Sequence, residues 1–518
     1  MKQTTKVFLS VLFCSLFAWS ALTAADLRFA PIFGQGMVLQ RNQEVNVWGT
    51  APASAPVTVS IQGKSVPAES DAEGNWRTTL SGLTAGGPFE LKLNSGSISV
   101  VLKDVYVGEV WMAGGQSNMQ FSLLHNADAE RYLAEATNPD IRYLQVPIIN
   151  YEGEPVKNNE LKWRQATGGT AKGISAVAYF FAKDLQEKLK VPIGVICAYK
   201  GGTPAETWMS KTSITSNPAL AVIWDDYQAL VNSRKEGEYE QLFDEYQEGI
   251  AKHRIANAAG ATGLKAPIEP MGPKHHRRPA GLYETMLTRV FPYTVRGVIW
   301  YQGEANASRA EQYKTLFPAL IAEWRDKFEQ KDLPFYFVQL SNYSSGGNRN
   351  TFWTELQEAQ LETWKTVPNT AMAVSIDYGD SLDIHPKQKE PIGKRLAASA
   401  RHLLYGESDL VYSGPIYKSS AVRGNRVEIS FDHTGSGLKA DGPLKGFTVC
   451  GADKQFVPAQ AVIEGNTILV SAASVPEPQA VRYGWVNYTD ANLFNKEGFP
   501  ASPFRTDDFA MTTKGRRK

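Results

Sequence analysis

One short polar motif places a serine among residues that could support acyl transfer. Residues 114–119 read Gly-Gly-Gln-Ser-Asn-Met and directly follow an apolar run. The glycines would let the backbone turn tightly and leave N–H groups open to an anion. The motif is not the Gly-x-Ser-x-Gly elbow of α/β hydrolases, because Met119 stands where that elbow has its second glycine. Taken alone, Ser117 could be a nucleophile or a helix-capping residue.

Two further motifs offer hydrogen-bond donors. Residues 200–204 read Lys-Gly-Gly-Thr-Pro, and this glycine pair would allow a ligand close to the backbone, although a plain tight turn explains it equally well. Residues 301–306 read Tyr-Gln-Gly-Glu-Ala-Asn. Gln302 and Asn306 are neutral amide donors, the type that stabilises an oxyanion without quenching a nucleophile.

The fourth motif contains a histidine among acids. Residues 377–386 read Asp-Tyr-Gly-Asp-Ser-Leu-Asp-Ile-His-Pro. A base such as His385 works best when a carboxylate orients it and stabilises the imidazolium. Asp383 stands two residues before the histidine and Asp380 five before, and either could instead be a loop or helix-capping carboxylate.

The elements around these motifs indicate a parallel sheet. Continuous apolar runs separated by helical stretches are typical of a sheet that is covered on both faces. In such folds the reactive loops lie beyond the carboxyl ends of the strands, which is where the four motifs fall. The runs occupy residues 107–112, 193–198, 297–301, 335–340 and 372–376.

The chain divides into regions that differ in their pattern of apolar and polar residues. Short alternating strands precede and follow the α/β region, and both flanking regions are predicted to be β-sandwich-like domains. The last residues are polar and basic and are expected to be disordered. The predicted boundaries are 1–25 for a signal peptide, 26–104 for the N-terminal β domain, 105–406 for the catalytic domain with a helical insertion at about 212–280, 407–509 for the C-terminal β domain, and 510–518 for the tail.

The first 25 residues predict export. Lys2 and Lys6 form a positive segment, residues 7–21 are apolar, and residues 22–25 supply small residues for cleavage. Leu12-Phe13 before Cys14 is too bulky for the usual lipoprotein site. We therefore expect a periplasmic or extracellular protein without a lipid anchor, and no later apolar run approaches the ~20 residues needed for membrane insertion.

Charge and cysteine content exclude several classes of function. The 54 basic residues balance 53 acidic ones, so no basic excess favours binding to nucleic acid. Cys197 and Cys450 are expected to be buried free thiols rather than a disulfide. No metal site is predicted, because zinc and calcium motifs are missing and the adjacent pair His275-His276 cannot easily chelate one ion.

Together, the four ordered motifs resemble the SGNH-hydrolase (GDSL-esterase) superfamily, and specifically its sialate O-acetylesterase family. The matching parts are Gly-Gln-Ser-Asn-Met at 115–119, Gly-Gly-Thr-Pro at 201–204, Trp-Tyr-Gln-Gly-Glu at 300–304 and Asp-Ile-His-Pro at 383–386. Residues 36–41, 105–111 and 281–283 also look like this family, so the similarity spans roughly residues 27–504.

The resemblance implies a three-layer α/β/α catalytic domain that hydrolyses acetyl esters of sugars without a cofactor. It assigns Ser117 as nucleophile and His385 as general base. The implied oxyanion hole combines the Ser117 N–H, an N–H of Gly201 or Gly202, and the side-chain amide of Gln302 or Asn306.

The chain departs from the superfamily pattern in two places. Many members have the acid three residues before the histidine, where this chain has Leu382, so the triad acid is open and Asp383 is favoured over Asp380. The third superfamily block is usually Gly-x-Asn-Asp, whereas residues 303–306 read Gly-Glu-Ala-Asn, which leaves the amide donor ambiguous.

Several questions of function stay open at this point. Acetylated sialic acids are the expected substrate, and plant polysaccharides such as xylan are the alternative. A sialic acid carboxylate would favour arginine, for which Arg277, Arg278 and Arg309 are candidates. A non-catalytic carbohydrate-binding protein would fit the two β domains and 12 tryptophans, but the retained serine, histidine and acid argue against it. The sequence does not indicate an oligomeric state.

Overall fold

The N-terminal part of the chain is built from β-strands. A computed structural model describes residues 26–156, 158–344 and 350–517, so the predicted signal peptide lies outside the described residues. Strands β1, β3 and β6 form a small sheet of their own, while β2, β4, β5 and β7 are connected to the long strand β8. The strands are β1 (Arg28–Phe29), β2 (Val38–Gln40), β3 (Val45–Thr50), β4 (Pro56–Ile61), β5 (Lys64–Glu69), β6 (Asn75–Leu80), β7 (Gly86–Ser95) and β8 (Ile98–Gly115).

The middle of the chain alternates strands and helices. Strands β11 to β14 are buried along their whole length, as expected for a sheet covered on both faces. The elements are α1 (Ser117–Gln120), α2 (Ala129–Glu135), β9 (Ile141–Gln145), β10 (Trp163–Gln165), α3 (Ala176–Leu189), β11 (Ile193–Tyr199), α4 (Lys211–Ser216), α5 (Ala221–Asn232), α6 (Glu238–Ala258), α7 (Gly281–Thr285), β12 (Gly297–Tyr301), α8 (Ala310–Lys327), β13 (Phe335–Val338), α9 (Phe352–Thr366), β14 (Thr370–Ala373) and α10 (Glu390–Leu404). Short 3-10 turns lie at Leu123–His125, Gly168–Gly173, Ala205–Trp208, Leu287–Arg289, Glu304–Arg309 and Ile376–Tyr378.

The central sheet confirms the predicted fold class. Its strand order is β10-β9-β11-β8-β12-β13-β14, with all neighbours parallel except the antiparallel edge strand β10. Trp111 of β8 packs edge-on against Phe181 of α3 on one face of the sheet. Trp300 of β12 packs against Phe317 and Trp324 of α8 on the other face. Helices therefore cover both sides of a mixed sheet.

Strand β8 belongs to two parts of the molecule. Its first half pairs antiparallel with β7 and its second half pairs parallel with β11 and β12. The domain boundary predicted after residue 104 therefore falls inside a continuous strand of 18 residues. The order β11-β8-β12 places the loops after these three strands side by side at the carboxyl edge of the sheet.

The last part of the chain is again all β. Two four-stranded sheets, β15-β16-β21-β20 and β19-β18-β22-β24, pack around a hydrophobic core that is separate from the main one. The strands are β15 (Ile416–Arg423), β16 (Arg426–Asp432), β17 (Leu438–Lys439), β18 (Phe447–Cys450), β19 (Val457–Pro458), β20 (Gln460–Glu464), β21 (Thr467–Ser471), β22 (Ala480–Tyr483), β23 (Phe494–Asn495) and β24 (Phe504–Arg505).

The C-terminal tail packs onto the α/β region, contrary to the expected disorder. The buried carboxylate of Glu355 in α9 accepts hydrogen bonds from the backbone and side chain of both Thr512 and Thr513, at 2.7–2.9 Å. A buried carboxylate must find donors, and the polar tail supplies them. Across the described ranges, no helix combines the length and apolar content needed to span a bilayer.

Candidate active site

Ser117 lies at the carboxyl end of the central strand β8, at the start of α1. Gly115 has a φ of +136°, and a Cβ there would come within 2.2 Å of the Tyr301 carbonyl oxygen, so only glycine fits. The Gln116 N–H donates to the same carbonyl at 3.0 Å, which holds the loop beside β12. As a first-turn residue, Ser117 has a backbone N–H without an intrahelical acceptor.

The glycine pair after β11 lies against this serine. A Cβ on Gly201 would be 3.3 Å from the Ser117 Cβ, which shows how closely the two loops approach. The Gly201 N–H is already donated to Gln120 Oε1 at 2.7 Å. The Gly202 N–H has no acceptor among the described residues, and Gly202 adopts a φ of +76°. Of the two amides left open by the sequence, Gly202 has the available one.

In the loop after β12, the two candidate amide donors, Gln302 and Asn306, have different hydrogen-bond partners. Gln302 is fully buried, and its Nε2 donates to Asn306 Oδ1 at 2.7 Å and to the Thr203 carbonyl at 3.4 Å. Its Oε1 accepts from the Tyr313 hydroxyl at 2.9 Å. Asn306 Nδ2 donates one hydrogen to Glu206 at 3.0 Å, and its second hydrogen has no acceptor in the described ranges. Gln302 thus supports Asn306 from the interior.

His385 lies on the loop between β14 and α10. Asp383 Oδ1 is 3.7 Å from His385 Nδ1 and accepts the His385 backbone N–H at 2.8 Å. Asp380 Oδ1 instead accepts the backbone N–H groups of Leu382 and Asp383 at 2.8 and 3.0 Å. The carboxylate next to the imidazole is therefore that of Asp383, and Asp380 stabilises the turn of the loop.

Ser117 and His385 line the same cleft. This cleft has a volume of about 620 Å³, which is in the usual range for small-molecule sites. Its other walls are largely apolar and are formed by Gln120, Phe121, Ser122, His125, Gln145, Val146, Pro147, Ile148, Gly173 and Tyr199. His385 also borders a second cavity of about 460 Å³ that is lined by acidic loop residues. The residue therefore lines both the cleft that contains Ser117 and the cavity that contains the acids.

The surroundings of His385 favour its neutral form. Burial is the main cause that lowers the pKa of the imidazole below its ordinary value of 6.5. The Asp383 carboxylate opposes this shift, whereas the positive charge of Lys389 adds to it. A neutral imidazole can accept a proton from a nearby hydroxyl, so the site suits general base catalysis.

Sequence reasoning missed a polar network beneath the serine and the histidine. Asn118 Nδ2 donates to Glu304 Oε1 at 2.6 Å and to the Ile384 carbonyl at 2.9 Å, and its Oδ1 accepts from Lys389 Nζ at 2.5 Å. Asn118 and Glu304 lie inside the motifs, but only as neighbours of the candidate residues. No pattern in the sequence marks Lys389, whose side chain is charged and yet 1% exposed.

One cluster in the described ranges has metal-ligand residue types. Potential ligand atoms of Glu269, His275 and His276 lie within 4.8 Å of one another. His275 Nδ1 accepts the Arg277 N–H at 2.9 Å, so the proton of the neutral ring is on Nε2. Burial lowers the pKa of His275 to about 4, and His276 Nδ1 is hydrogen-bonded to Glu269. The cluster is thus an internal hydrogen-bonded group in which His275 Nε2 also lies 3.9 Å from the Glu269 carboxylate.

The three candidate arginines have different partners. Arg278 is paired with Glu284 and Arg309 with Glu206, each at 2.6 Å. Arg277 is exposed, and its guanidinium has no partner among the described residues. It lines a cleft of about 350 Å³ together with Arg309 and Arg517, next to the loops that follow β11 and β12.

Comparison with known proteins places the chain among carbohydrate esterases. A family model described as carbohydrate esterase, sialic acid-specific acetylesterase, matches residues 254–402. The chain is 29% identical to a sialate O-acetylesterase from Rattus norvegicus over 92% of this chain and 94% of the relative. It is 28% identical to the Homo sapiens sialate O-acetylesterase over 94% of each chain.

A solved structure extends this similarity to the fold. The crystal structure of a carbohydrate acetylesterase from Xanthomonas citri is 35% identical, covers 93% of this chain and 100% of that chain, and has a TM-score of 0.77. The layered sheet and the serine loop at its carboxyl edge thus define an esterase of the SGNH type. The chain belongs to the sialate O-acetylesterase family of the SGNH-hydrolase superfamily, which confirms the predicted family and enzyme class.

Proposed function

We propose that this esterase hydrolyses O-acetyl esters of sialic acids through an acyl-enzyme, with Ser117 as nucleophile, His385 as general base and Asp383 as the acid. The observation that carries the proposal is the shared cleft: Ser117 and His385 line one cavity, at the edge of the sheet where their loops meet. The family membership supports the same chemistry.

The chemistry follows from the arrangement of donors. Ser117 Oγ attacks the acetyl carbonyl carbon while His385 takes the hydroxyl proton, and the imidazolium then protonates the departing sugar oxygen. The N–H groups of Ser117 and Gly202 and the free Asn306 amide hydrogen stabilise the oxyanion. Water releases acetate in the reverse sequence. No cofactor takes part in these steps.

The Asp383 contact must tighten during the reaction. Its distance of 3.7 Å from His385 Nδ1 exceeds that of a hydrogen bond by about 0.7 Å. Catalytic hydrogen bonds often shorten when substrate is bound. Closure of the loop over an acetylated sugar would bring the carboxylate into contact with the imidazolium that it stabilises.

Two observations bear on the sugar. The curated relatives are named sialate O-acetylesterases. The unpaired guanidinium of Arg277 lines a separate cleft beside the loops that follow β11 and β12, where it suits the carboxylate of a sialic acid. The Xanthomonas citri relative has the higher sequence identity and is named only as a carbohydrate acetylesterase. Acetylated neutral polysaccharides such as xylan are therefore the second candidate.

Acetate release separates these candidates. Purified enzyme is given O-acetylated sialic acid and acetylated xylan side by side, with Ser117→Ala as the control for contaminating esterases. We expect faster release from sialic acid, and loss of both activities by about 10³-fold in the variant. Preference for xylan would move the substrate to the neutral polysaccharides, and turnover by folded Ser117→Ala would reject the mechanism.

We also propose that the protein is exported to the periplasm or beyond the cell. The proposal is supported by the positive, apolar and small-residue segments of residues 1–25. N-terminal sequencing of protein from its native host should find Ala25 or Asp26 as the first residue. Retention of Met1 would reject export by this signal.

A further inference from the structure

The network beneath the candidate catalytic pair joins three loops through one amide. Asn118 directly follows Ser117 and is 2% exposed. Both hydrogens of its Nδ2 are donated, one to Glu304 on the loop after β12 and one to the carbonyl of Ile384, the residue before His385. The helix that begins with the serine is therefore bonded to the loop that holds the histidine.

Lys389 completes the network with an ammonium group in an unusual environment. Its only hydrogen-bond acceptor in the described ranges is Asn118 Oδ1 at 2.5 Å. The aromatic faces of Phe121 and Tyr301 lie 5.0 and 5.4 Å from Nζ and supply cation–π contacts. Burial lowers the pKa of Lys389 to about 7, against the opposing effect of Glu304 and Asp383.

Glu304 provides a nearby negative charge that is incompletely satisfied. Its Oε1 accepts from Asn118, while its Oε2 is shielded from solvent and has no hydrogen-bond partner within the described residues. Burial raises the pKa of this carboxyl, and the Asn118 hydrogen bond and Lys389 oppose the rise. A shielded carboxylate oxygen without a partner is costly, so we look for a role of Glu304 beyond packing.

Charged groups approach His385 from two loops. Asp383 lies on its own loop, Lys389 lies at the end of that loop, and Glu304 faces Lys389 from the loop after β12. Asp377, Asp380 and Lys387 line the cavity that His385 also borders, and His125 and Tyr199 line its cleft with Ser117. Among these groups, Lys389 is the cation that lowers the pKa of the imidazole.

We propose that Asn118, Glu304 and Lys389 form a positioning unit that fixes the His385 loop on the Ser117 helix and holds a positive charge near the imidazole, favouring its base form. None of the three contacts the reacting atoms, and each acts through Ser117 or His385. The proposal rests on the catalytic roles proposed above for that pair.

The first test removes the charge while keeping the length of the side chain. Lys389→Met should raise the pKa of His385, because a positive charge that disfavours the imidazolium is gone. We expect the acid limb of the pH profile of kcat/KM to move up by about 0.5 pH units or more. The NMR titration of the His385 ring, assigned with His385→Ala, should move equally without reference to catalysis.

A matched control is available on helix α10, which Lys389 directly precedes. Lys394 is exposed and paired with Glu390, so Lys394→Met makes the same substitution away from the network. It should leave the pH profile and the titration of His385 unchanged. Equal titration of His385 in Lys389→Met and wild type would overturn the charge role, because a purely structural lysine would change stability without moving that midpoint.

A second variant tests the positioning role and covers the case in which Lys389→Met does not fold. Glu304→Gln keeps the shape of the side chain and removes the anionic acceptor that holds Asn118. We expect kcat to fall about tenfold or more with KM changed less than threefold, because the loop is displaced but the cleft is kept. Unchanged kcat in folded Glu304→Gln would overturn the positioning role.

The outcomes separate this proposal from the proposed mechanism. If Ser117→Ala is active, the catalytic assignment itself fails, whatever the network variants do. If Ser117→Ala is inactive while Lys389→Met and Glu304→Gln behave as wild type, the mechanism stands and the positioning unit is rejected.

Discussion

The imidazole of His385 lies between two cavities of different chemistry. The cleft on one side contains Ser117, and the cavity on the other contains the acids of its own loop, Asp377, Asp380 and Asp383. Nδ1 lies 3.7 Å from the Asp383 carboxylate, which leaves Nε2 for the serine in the proposed triad. Burial between the two cavities also lowers its pKa, which has a consequence for activity.

The pH dependence of the enzyme should reflect this shift. Only the neutral imidazole can act as base, and a lowered pKa keeps it neutral to lower pH. We expect kcat/KM to lose activity on the acid side with a midpoint below 6.5, the ordinary histidine value. A pH–rate profile of the wild-type enzyme measures this midpoint. A midpoint clearly above pH 6.5 would contradict this expectation.

The variant His385→Ala should reduce kcat by about 10³-fold.

The two acids of the histidine loop should differ in their effect on catalysis. Asp383 Oδ1 is the carboxylate oxygen near Nδ1, whereas Asp380 holds two backbone N–H groups of the turn. Asp383→Asn should therefore reduce kcat by about tenfold or more, and by more than Asp380→Asn. Comparison of kcat and melting temperature for both variants checks this. A larger loss of kcat in folded Asp380→Asn would move the acid to Asp380.

The sequence predicted those candidate site residues that stand in short motifs with a recognisable residue type. Ser117, His385 and the glycine pair stand in short motifs after apolar strands, and their types alone suggest a role. The choice between Gln302 and Asn306 depends on which amide hydrogens are already donated. Those of Gln302 go to Asn306 and the Thr203 carbonyl, whereas only one of Asn306 goes to Glu206. Those contacts depend on tertiary structure, which no local pattern reveals.

At the scale of elements, strand β8 runs through the domain boundary that was predicted after residue 104. Its N-terminal half is exposed on alternate residues and its C-terminal half is buried throughout. This change of burial produces the change in the pattern of apolar and polar residues near residue 105, from which the domain boundary was predicted. The strand nevertheless continues, because backbone pairing passes from β7 to β11 and β12 without a turn. The pattern of apolar and polar residues reflects burial, whereas the end of a strand also requires a break in backbone pairing.

The contact between α9 and the C-terminal tail should contribute measurably to stability. Glu355→Gln removes a carboxylate that accepts four hydrogen bonds from Thr512 and Thr513, and we expect a loss of about 2 kcal/mol in the free energy of unfolding. Glu362→Gln, on the same helix with a partly exposed side chain, is the control and should cost less than about 0.5 kcal/mol. Denaturant unfolding at pH 7 measures both.

The same contact has a defined pH dependence. Although burial raises the pKa of Glu355, the hydrogen bonds from Thr512, Thr513 and Thr351 lower it overall. A folded-state pKa below the ordinary value of 4.5 means that the contribution is complete above pH 4.5 and is lost as pH falls through the folded value. The difference between wild type and Glu355→Gln should therefore shrink below pH 4.5. A constant difference down to pH 3 would contradict this account.

At the scale of the whole molecule, the C-terminal β region supports the catalytic edge of the sheet. The Tyr343 N–H donates to the Asn487 carbonyl, and Asn342 Nδ2 donates to the Thr489 carbonyl at 3.0 Å and to the Ile376 carbonyl at 2.9 Å. Ile376 begins the segment that leads to His385. Hydrogen bonds and packing thus hold the parts of the chain together. Whether a disulfide also links them depends on the two cysteines in the described ranges.

Cys197 in β11 and Cys450 in β18 are both buried free thiols, as the sequence predicted. Burial raises the pKa of Cys197 to about 12 and also raises that of Cys450, so few thiolates exist at neutral pH. We expect native mature protein at pH 8 to react negligibly with a thiol reagent such as DTNB. In denaturant without reductant, each chain should react with two equivalents of DTNB. Dithiothreitol should leave the melting temperature of the native protein unchanged. No reactive thiol in the denatured, unreduced protein would indicate a disulfide and would contradict this prediction.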